Sequence, residues 1–143
     1  MNFTTAMRFV DTNVLLYAIS TAQADAAKAS IAQALLTNRD MVLSVQVLQE
    51  FYVQATRTSR PHHLSHDEAV ARIRTWRRFP IVDITTSILD SALAVKACFQ
   101  LSYWDSAIIA AAKQAGCSEV YSEDMNHGQD YGGVRVVNPF QPA

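Results

Sequence analysis

The sequence predicts an α/β fold, a three-layer sandwich in which a mainly parallel central sheet is flanked by helices. Two observations lead there. Short apolar runs alternate with longer segments of helical spacing along the whole chain, the pattern of strand–helix–strand units. The 143 residues, 50% hydrophobic and 17% charged, also contain no repeat, low-complexity tract or long linker. That fits a single domain over 1–143, large enough to bury a core without disulfides or a structural metal.

Strands are expected at Arg8–Val10, Met41–Ser44, Ile81–Ile84, Glu119–Ser122 and Val134–Val137. The intervening segments carry apolar stripes: Ile31 and Leu35 lie four apart, as do Val47 and Phe51, and Val70, Ile73 and Trp76 recur every three. Such spacing gives a helix one buried face. Ser65-His66-Asp67-Glu68 matches a capping box, Ser102 or Tyr103 precedes the helix that carries Asp105, and Gly116 suits a left-handed turn at that helix's end. Asn126-His127-Gly128 and Gly132-Gly133 mark a loop between the last two strands. Residues 1–6 lack a basic region followed by an apolar core, so they are expected to be a loose lead-in rather than a secretory signal. No apolar run approaches the roughly 18 to 20 residues of a membrane span. Cys98 and Cys117, widely spaced and inside or beside apolar helices, are expected to be reduced core thiols, and the protein cytoplasmic.

Four acids lie where strands hand over to helices or loops: Asp11, Glu50, Asp105 and Asp124. In an open parallel sheet, ligands bind beyond the carboxyl ends of the strands, so residues distant in sequence can converge there. Each acid also has a simpler reading. Asp11 can be a helix N-cap, Glu50 a solvated mid-helix residue, and Asp124 a loop acid. Asp105 gains roughly 0.3 to 1 kcal/mol from the helix dipole in a first turn, although the apolar stretch from Ile108 to Ala112 draws its helix inward. Glu123 rivals Asp124, but strand alternation from Tyr121 puts Ser122 and Asp124 on one side. Thr12 and Asn13 are placed to orient Asp11, and the nine remaining acids read as ordinary surface. Carboxylates gathered without cations repel one another, which points to a hard divalent ion, Mg²⁺ or Mn²⁺, with one or two ions possible. Zinc-ligand spacing, P-loops and dinucleotide fingerprints are absent from the sequence.

The net charge of -1 is unevenly spread. Arg57, Arg60, Arg72, Arg74, Arg77 and Arg78 face only Asp67 and Glu68 in their segment, giving +4 there, while six bases and eleven acids elsewhere give -5. His62, His63 and His66 would add charge below about pH 6.5. A solvated helix face is one reading; an electrostatic landing site for a polyanion is the other.

With these residues in view, the chain resembles PIN-domain ribonucleases, and among them the VapC toxins of bacterial type II toxin-antitoxin systems. Phe9-Val10-Asp11-Thr12-Asn13-Val14-Leu15-Leu16-Tyr17 resembles the first family motif, Ser44 to Phe51 the second with Glu50 at its acidic position, Tyr103 to Ala112 the third, and Val120 to Met125 the fourth. Ser122 stands where the family often has threonine, which preserves a hydroxyl. The resemblance implies a PIN-like fold and metal-dependent endonucleolytic cleavage of RNA, with Asp11, Glu50, Asp105 and Asp124 as metal-binding and catalytic acids. It also implies a homodimer, a cognate antitoxin, and DNA contact only through an antitoxin complex. An antitoxin helix is expected on Tyr17, Ile19 and the stripe from Ile31 to Leu36. Two alternatives are a haloacid-dehalogenase-like phosphatase, disfavoured because Asn13 stands where a second Asp is needed, and a receiver-like signalling domain. The latter needs a lysine at a strand end, whereas Lys96 and Lys113 fall in expected helices.

Overall fold

The computed structural model describes residues 7–142; the expected lead-in at 1–6 lies outside them. Five strands form one sheet: β1 (Arg8–Val10), β2 (Met41–Ser44), β3 (Ile81–Val82), β4 (Glu119–Tyr121) and β5 (Arg135–Val137). Their order is β3-β2-β1-β4-β5, and every neighbouring pair is parallel. From β1 the chain builds outward through β2 to β3, then returns to β1's other side for β4 and β5. The order therefore reverses between β1 and β4, and the two connections leave a crevice at the strands' carboxyl ends.

Six α-helices cross the sheet: α1 (Thr12–Ala18), α2 (Ala26–Leu35), α3 (Val45–Ala55), α4 (His66–Trp76), α5 (Thr86–Phe99) and α6 (Tyr103–Gln114), with a 3₁₀ turn at Gln23–Asp25. They pack as two groups, α1 with α2 and α3 and onward to α4, and α5 with α6. Consecutive strand residues point to opposite faces. Phe9 and Val10 are both 0% exposed and all four residues of β2 are buried, so both faces of the sheet are covered and the sandwich has three layers. This is the expected architecture.

Local chemistry starts the helices where the sequence suggested. Ser44 caps α3 through Val47 N–H, Ser65 and Glu68 complete the capping box of α4, and Ser102 accepts from Asp105 N–H at the start of α6. Gly116, at φ 75, makes the left-handed turn after α6. The β4–β5 crossing has no helix: Tyr131 fills the space beneath its loop, donating its N–H to the Val134 carbonyl across the Gly132-Gly133 turn.

Four expectations need correction. β3 stops at Val82, because the chain then leaves the sheet and Ile84 is 60% exposed. α2 faces the core through Ala29, Ala32 and the adjoining Leu36, with Leu35 partly buried against it, and leaves Ile31 38% exposed, so Ile31 is not on its buried face. Cys98 is exposed, while Cys117 is a core thiol that burial pushes up to about 11. Two acids read as plain surface are tied by long-range partners: Asp40 accepts two hydrogen bonds from the Arg8 guanidinium, and Glu123 accepts from Lys28 and from the Tyr17 hydroxyl.

Candidate functional site

The crevice end of β1 and β4 holds a fixed polar network. Asp11 follows β1 directly, and its N–H continues the sheet by donating to the Tyr121 carbonyl at 3.0 Å. It is the N-cap of α1, yet its side chain accepts from the adjacent Thr12 N–H at 2.7 Å. The other carboxyl oxygen accepts from the Ser122 hydroxyl at 2.8 Å. Ser122 in turn accepts from Asn13 Nδ2 and from Asp124 N–H, each at 3.1 Å, and Asn13 Nδ2 also reaches Asp124 Oδ2 at 3.2 Å. Strand alternation at the end of β4 sorts the acids as expected, with Ser122 and Asp124 turned to Asp11 and Glu123 turned to Lys28. Burial pushes the Glu123 carboxyl up, but Lys28 and Tyr17 outweigh it and leave the group below its ordinary value.

The other two acids arrive on helices. Glu50, in the second turn of α3, accepts from Thr12 Oγ1 at 2.7 Å and from Gln46 Nε2 at 2.8 Å. Asp105 stands half-buried in the first turn of α6. All four acids line one cleft of about 480 Å³, together with Thr12, Gln46, Gln49, Gln54, Val53, Ile108 and Trp104. No Lys, Arg or His is among these lining residues.

The electrostatics follow from that lining. Asp11, only 6% exposed, has its pKa raised from 3.8 to about 7: burial raises it most, the bonds from Ser122 and Thr12 lower it, and the charges of Glu50 and Asp105 raise it again. Asp105 is raised by burial, opposed by Ser102, and raised further by Asp124 and Glu50. Both shifts arise first from burial, with the charges of neighbouring carboxylates adding to it. Among the described residues, no three acid, histidine or cysteine side chains stand close enough to hold an ion as placed; the acids share a cleft rather than a finished coordination sphere. Their donor chemistry nevertheless fits a hard divalent cation, since every candidate ligand is an oxygen and each ordered carboxylate oxygen keeps a lone pair.

The six arginines are not placed alike. Arg57, Arg72, Arg74, Arg77 and Arg78 are exposed, and Arg78 donates to the Leu36 carbonyl at 2.8 Å while lying over the Phe79 ring. Arg60 differs. It is half-buried and lines a second cleft with Asn13, Leu16, Tyr17, Asp25, Glu123 and Asp124, on the far side of Asp124 from the first. On the surface expected for an antitoxin helix, Ala32 and Leu36 belong to the core and Tyr17 meets Phe140 edge to face and carries Lys28 over its ring, while Ile31 is exposed. Trp104, which sequence reasoning passed over as part of an apolar helix, is 64% exposed at the mouth of the acidic cleft.

The comparisons agree with this geometry. Residues 8–129 match the PIN domain family, and the chain belongs to it. Among solved structures it is similar to a toxin-antitoxin complex from Klebsiella pneumoniae, at 20% identity over 94% of this chain and 98% of that one, with a TM-score of 0.67. It is likewise similar to VapC20 of Mycobacterium tuberculosis, described as a Sarcin-Ricin loop cleaving toxin, at 21% identity, 83% and 91% coverage and a TM-score of 0.66. DNA-bound VapBC from Salmonella typhimurium follows at 16% identity, 92% and 97% coverage and a TM-score of 0.64. No curated protein sequence matches significantly. The receiver-like alternative gains no lysine at a strand end from Lys96 or Lys113: Lys96 donates to the Leu101 carbonyl, and Lys113 lies in the last turn of α6 beside Gly132. Among the described residues no helix is long and apolar enough to cross a membrane.

Proposed function

We propose that this protein is a divalent-metal-dependent endoribonuclease and the toxin of a VapBC-type toxin-antitoxin pair. The observation that carries this reading is the convergence of Asp11, Glu50, Asp105 and Asp124, from four separate elements, on one cation-free cleft at the sheet's switch point. Membership of the PIN family supports it, as do the structural neighbours described as toxin-antitoxin complexes.

Asp11, Glu50, Asp105 and Asp124 are the residues that would hold Mg²⁺ or Mn²⁺, as one ion or two. When bound, a divalent ion supplies Lewis-acid stabilisation of charge on a phosphodiester and favours attack by water. The chain's own residues prepare the place. Ser122 and Thr12 N–H fix the Asp11 carboxyl, Asn13 braces Ser122 and Asp124, and Thr12 and Gln46 steer Glu50. Burial raises the Asp11 pKa to about 7, and a divalent ion held there would favour its carboxylate form. Of the six arginines, Arg60 is placed to receive a neighbouring phosphate, because it alone of them lines the cleft next to Asp124. RNA rather than DNA is the substrate assigned, in line with the resemblance to PIN-domain ribonucleases and with the neighbour described as a Sarcin-Ricin loop cleaving toxin. The partners in this reading are a cognate antitoxin and a second copy of the chain, with DNA met through the antitoxin complex, in the cytoplasm.

Brief induction of the protein in cells, followed by mapping of new RNA 5′ ends, tests the reading. Discrete new ends with the wild type and none with Asp11→Asn are expected. No new ends with either would reject the ribonuclease assignment.

A further inference from the structure

A large indole left in water is unusual for a small domain, and Trp104 lines the cleft that holds the four acids. It immediately precedes Asp105, so an aromatic plane and a candidate metal-binding carboxylate leave adjacent backbone positions in the first turn of α6. The ring is 64% exposed and shares the acidic cleft with Val53, itself exposed, and with Ile108. The residue is braced. Tyr103 packs against the indole nearly perpendicular to it, at 77° and 5.1 Å between centroids, and Gln46 Nε2 donates to the Trp104 carbonyl at 3.2 Å. The same Gln46 nitrogen donates to Glu50, which couples the backbone beneath the indole to an acid across the cleft. The cleft thus has two parts, four carboxylates and, set beside Glu50 and Asp105, an apolar shelf of Trp104 and Val53.

We infer that Trp104 is a stacking platform for one unpaired base of the substrate strand, beside the phosphodiester that the acids attend. This rests on the ribonuclease reading above. The occupant follows from the continuity of the two halves: a nucleotide is a ligand whose apolar plane is covalently tied to a phosphate, so one residue of RNA satisfies shelf and acids together. Base-on-aromatic stacking tolerates any base, because each has a π-face. It also excludes a paired base, since in an A-form helix the faces are stacked on neighbours and the major groove is too narrow to admit side chains. Trp104 therefore selects single-stranded, bulged or loop nucleotides and contributes no preference for a particular base. It is a positioning and selectivity residue, and its exposure means that its removal spares the core.

The test uses the full chain as wild type, Trp104→Ala and Trp104→Phe, with end-labelled single-stranded RNA of mixed sequence and the same sequence annealed into a duplex. Stacking supports a loss on Trp104→Ala of about 5- to 100-fold in affinity and in kcat/KM for the single strand, with most of it restored in Trp104→Phe. Wild-type tryptophan emission should be quenched by RNA with Ca²⁺ in place of Mg²⁺, because Trp76 is buried and Trp104 supplies the accessible signal. An abasic nucleotide beside the cut should cost the wild type as much as Trp104→Ala does, and cost Trp104→Ala little more. Cleavage by the wild type with equal cleavage by Trp104→Ala and no quenching overturns this inference and leaves the ribonuclease assignment standing. Absence of RNA cleavage by the wild type rejects that assignment and this one with it. A change in oligomeric state on Trp104→Ala, with unchanged RNA affinity, would make the shelf a contact between copies and equally overturn the inference.

Discussion

The two halves of the acidic cleft are built differently. On the β1–β4 side, Asp11, Ser122 and Asn13 form a closed network in which both oxygens of a buried carboxyl accept hydrogen bonds. On the α3–α6 side, Glu50 and Asp105 are half-buried and stand beside exposed Val53 and Trp104. The contrast assigns the work. The sheet side fixes a position and bears most of the electrostatic stress, since burial raises Asp11 to about 7, while the helix side stays open to solvent and to an incoming strand. A site of this kind pairs one rigid ligand with neighbours able to adjust around a guest.

If that division holds, the two sides respond differently to substitution. The largest effect is on chemistry: Asp11→Asn and Asp105→Asn should each lower metal-dependent RNA cleavage by more than about 100-fold, beyond the 10- to 100-fold typical of outer partners of a metal, with circular dichroism unchanged. Near-normal cleavage by either purified variant would separate that acid from the site.

The second effect is on stability and distinguishes the halves. An acid whose folded pKa lies above its unfolded one holds its proton more tightly when folded, so stability falls as pH rises between the two values and is level above the higher one. For Asp11 that window runs from 3.8 to about 7, a difference of order 4 kcal/mol. In urea denaturation without divalent metal, Asp11→Asn should therefore gain on the wild type between pH 5 and pH 8. Asp105→Asn should gain less, because Asp105 is half-buried. Equal gains would dissolve the distinction between the sides.

Ser122→Ala sharpens the comparison from within the network. It strips Asp11 of a donor and leaves Asp124 N–H without its acceptor, while Asn13 Nδ2 keeps Asp124 Oδ2, at a cost of roughly 1 to 3 kcal/mol. Thermal melts at pH 7 check this, and Ser122→Thr should recover most of the loss. The smallest effect lies outside the cleft: Arg60→Ala should weaken RNA binding and reduce the salt slope by about 1, whereas Arg77→Ala changes little. The reverse order would move the phosphate track to α4.

Much of this arrangement was legible in the sequence. Asp11 and Asp124 could be placed together because the ends of parallel strands share one edge, and the alternation Tyr121-Ser122-Glu123-Asp124 turned Glu123 away, while Glu50 and Asp105 reach the same cleft on helices. What escaped depends on long-range packing. Arg8 with Asp40 and Lys28 with Glu123 pair across 32 and 95 residues, distances at which spacing carries no signal. Ile84 looked like strand because it is β-branched, yet no neighbour pairs with it. Cys98 followed its apolar helix into the expected core, but α5 turns Ile88, Ala92 and Val95 inward and Cys98 out. Trp104 had one available signal: it lies in the first turn of α6, ahead of the continuous buried run that begins at Ser106.

In the proposed function, Asp11, Glu50, Asp105 and Asp124 form one site for a divalent cation in the folded chain. Melting curves of wild type and Asp11→Asn with and without Mn²⁺, at matched ionic strength and pH 8, test it most directly. A ligand at about 100 times its dissociation constant that binds only the native state adds roughly 2.7 kcal/mol. The wild type should therefore melt several degrees higher with Mn²⁺. Asp11→Asn, although more stable than the wild type without metal, should show a much smaller rise. A rise of equal size in both proteins would place the ion elsewhere and contradict the account.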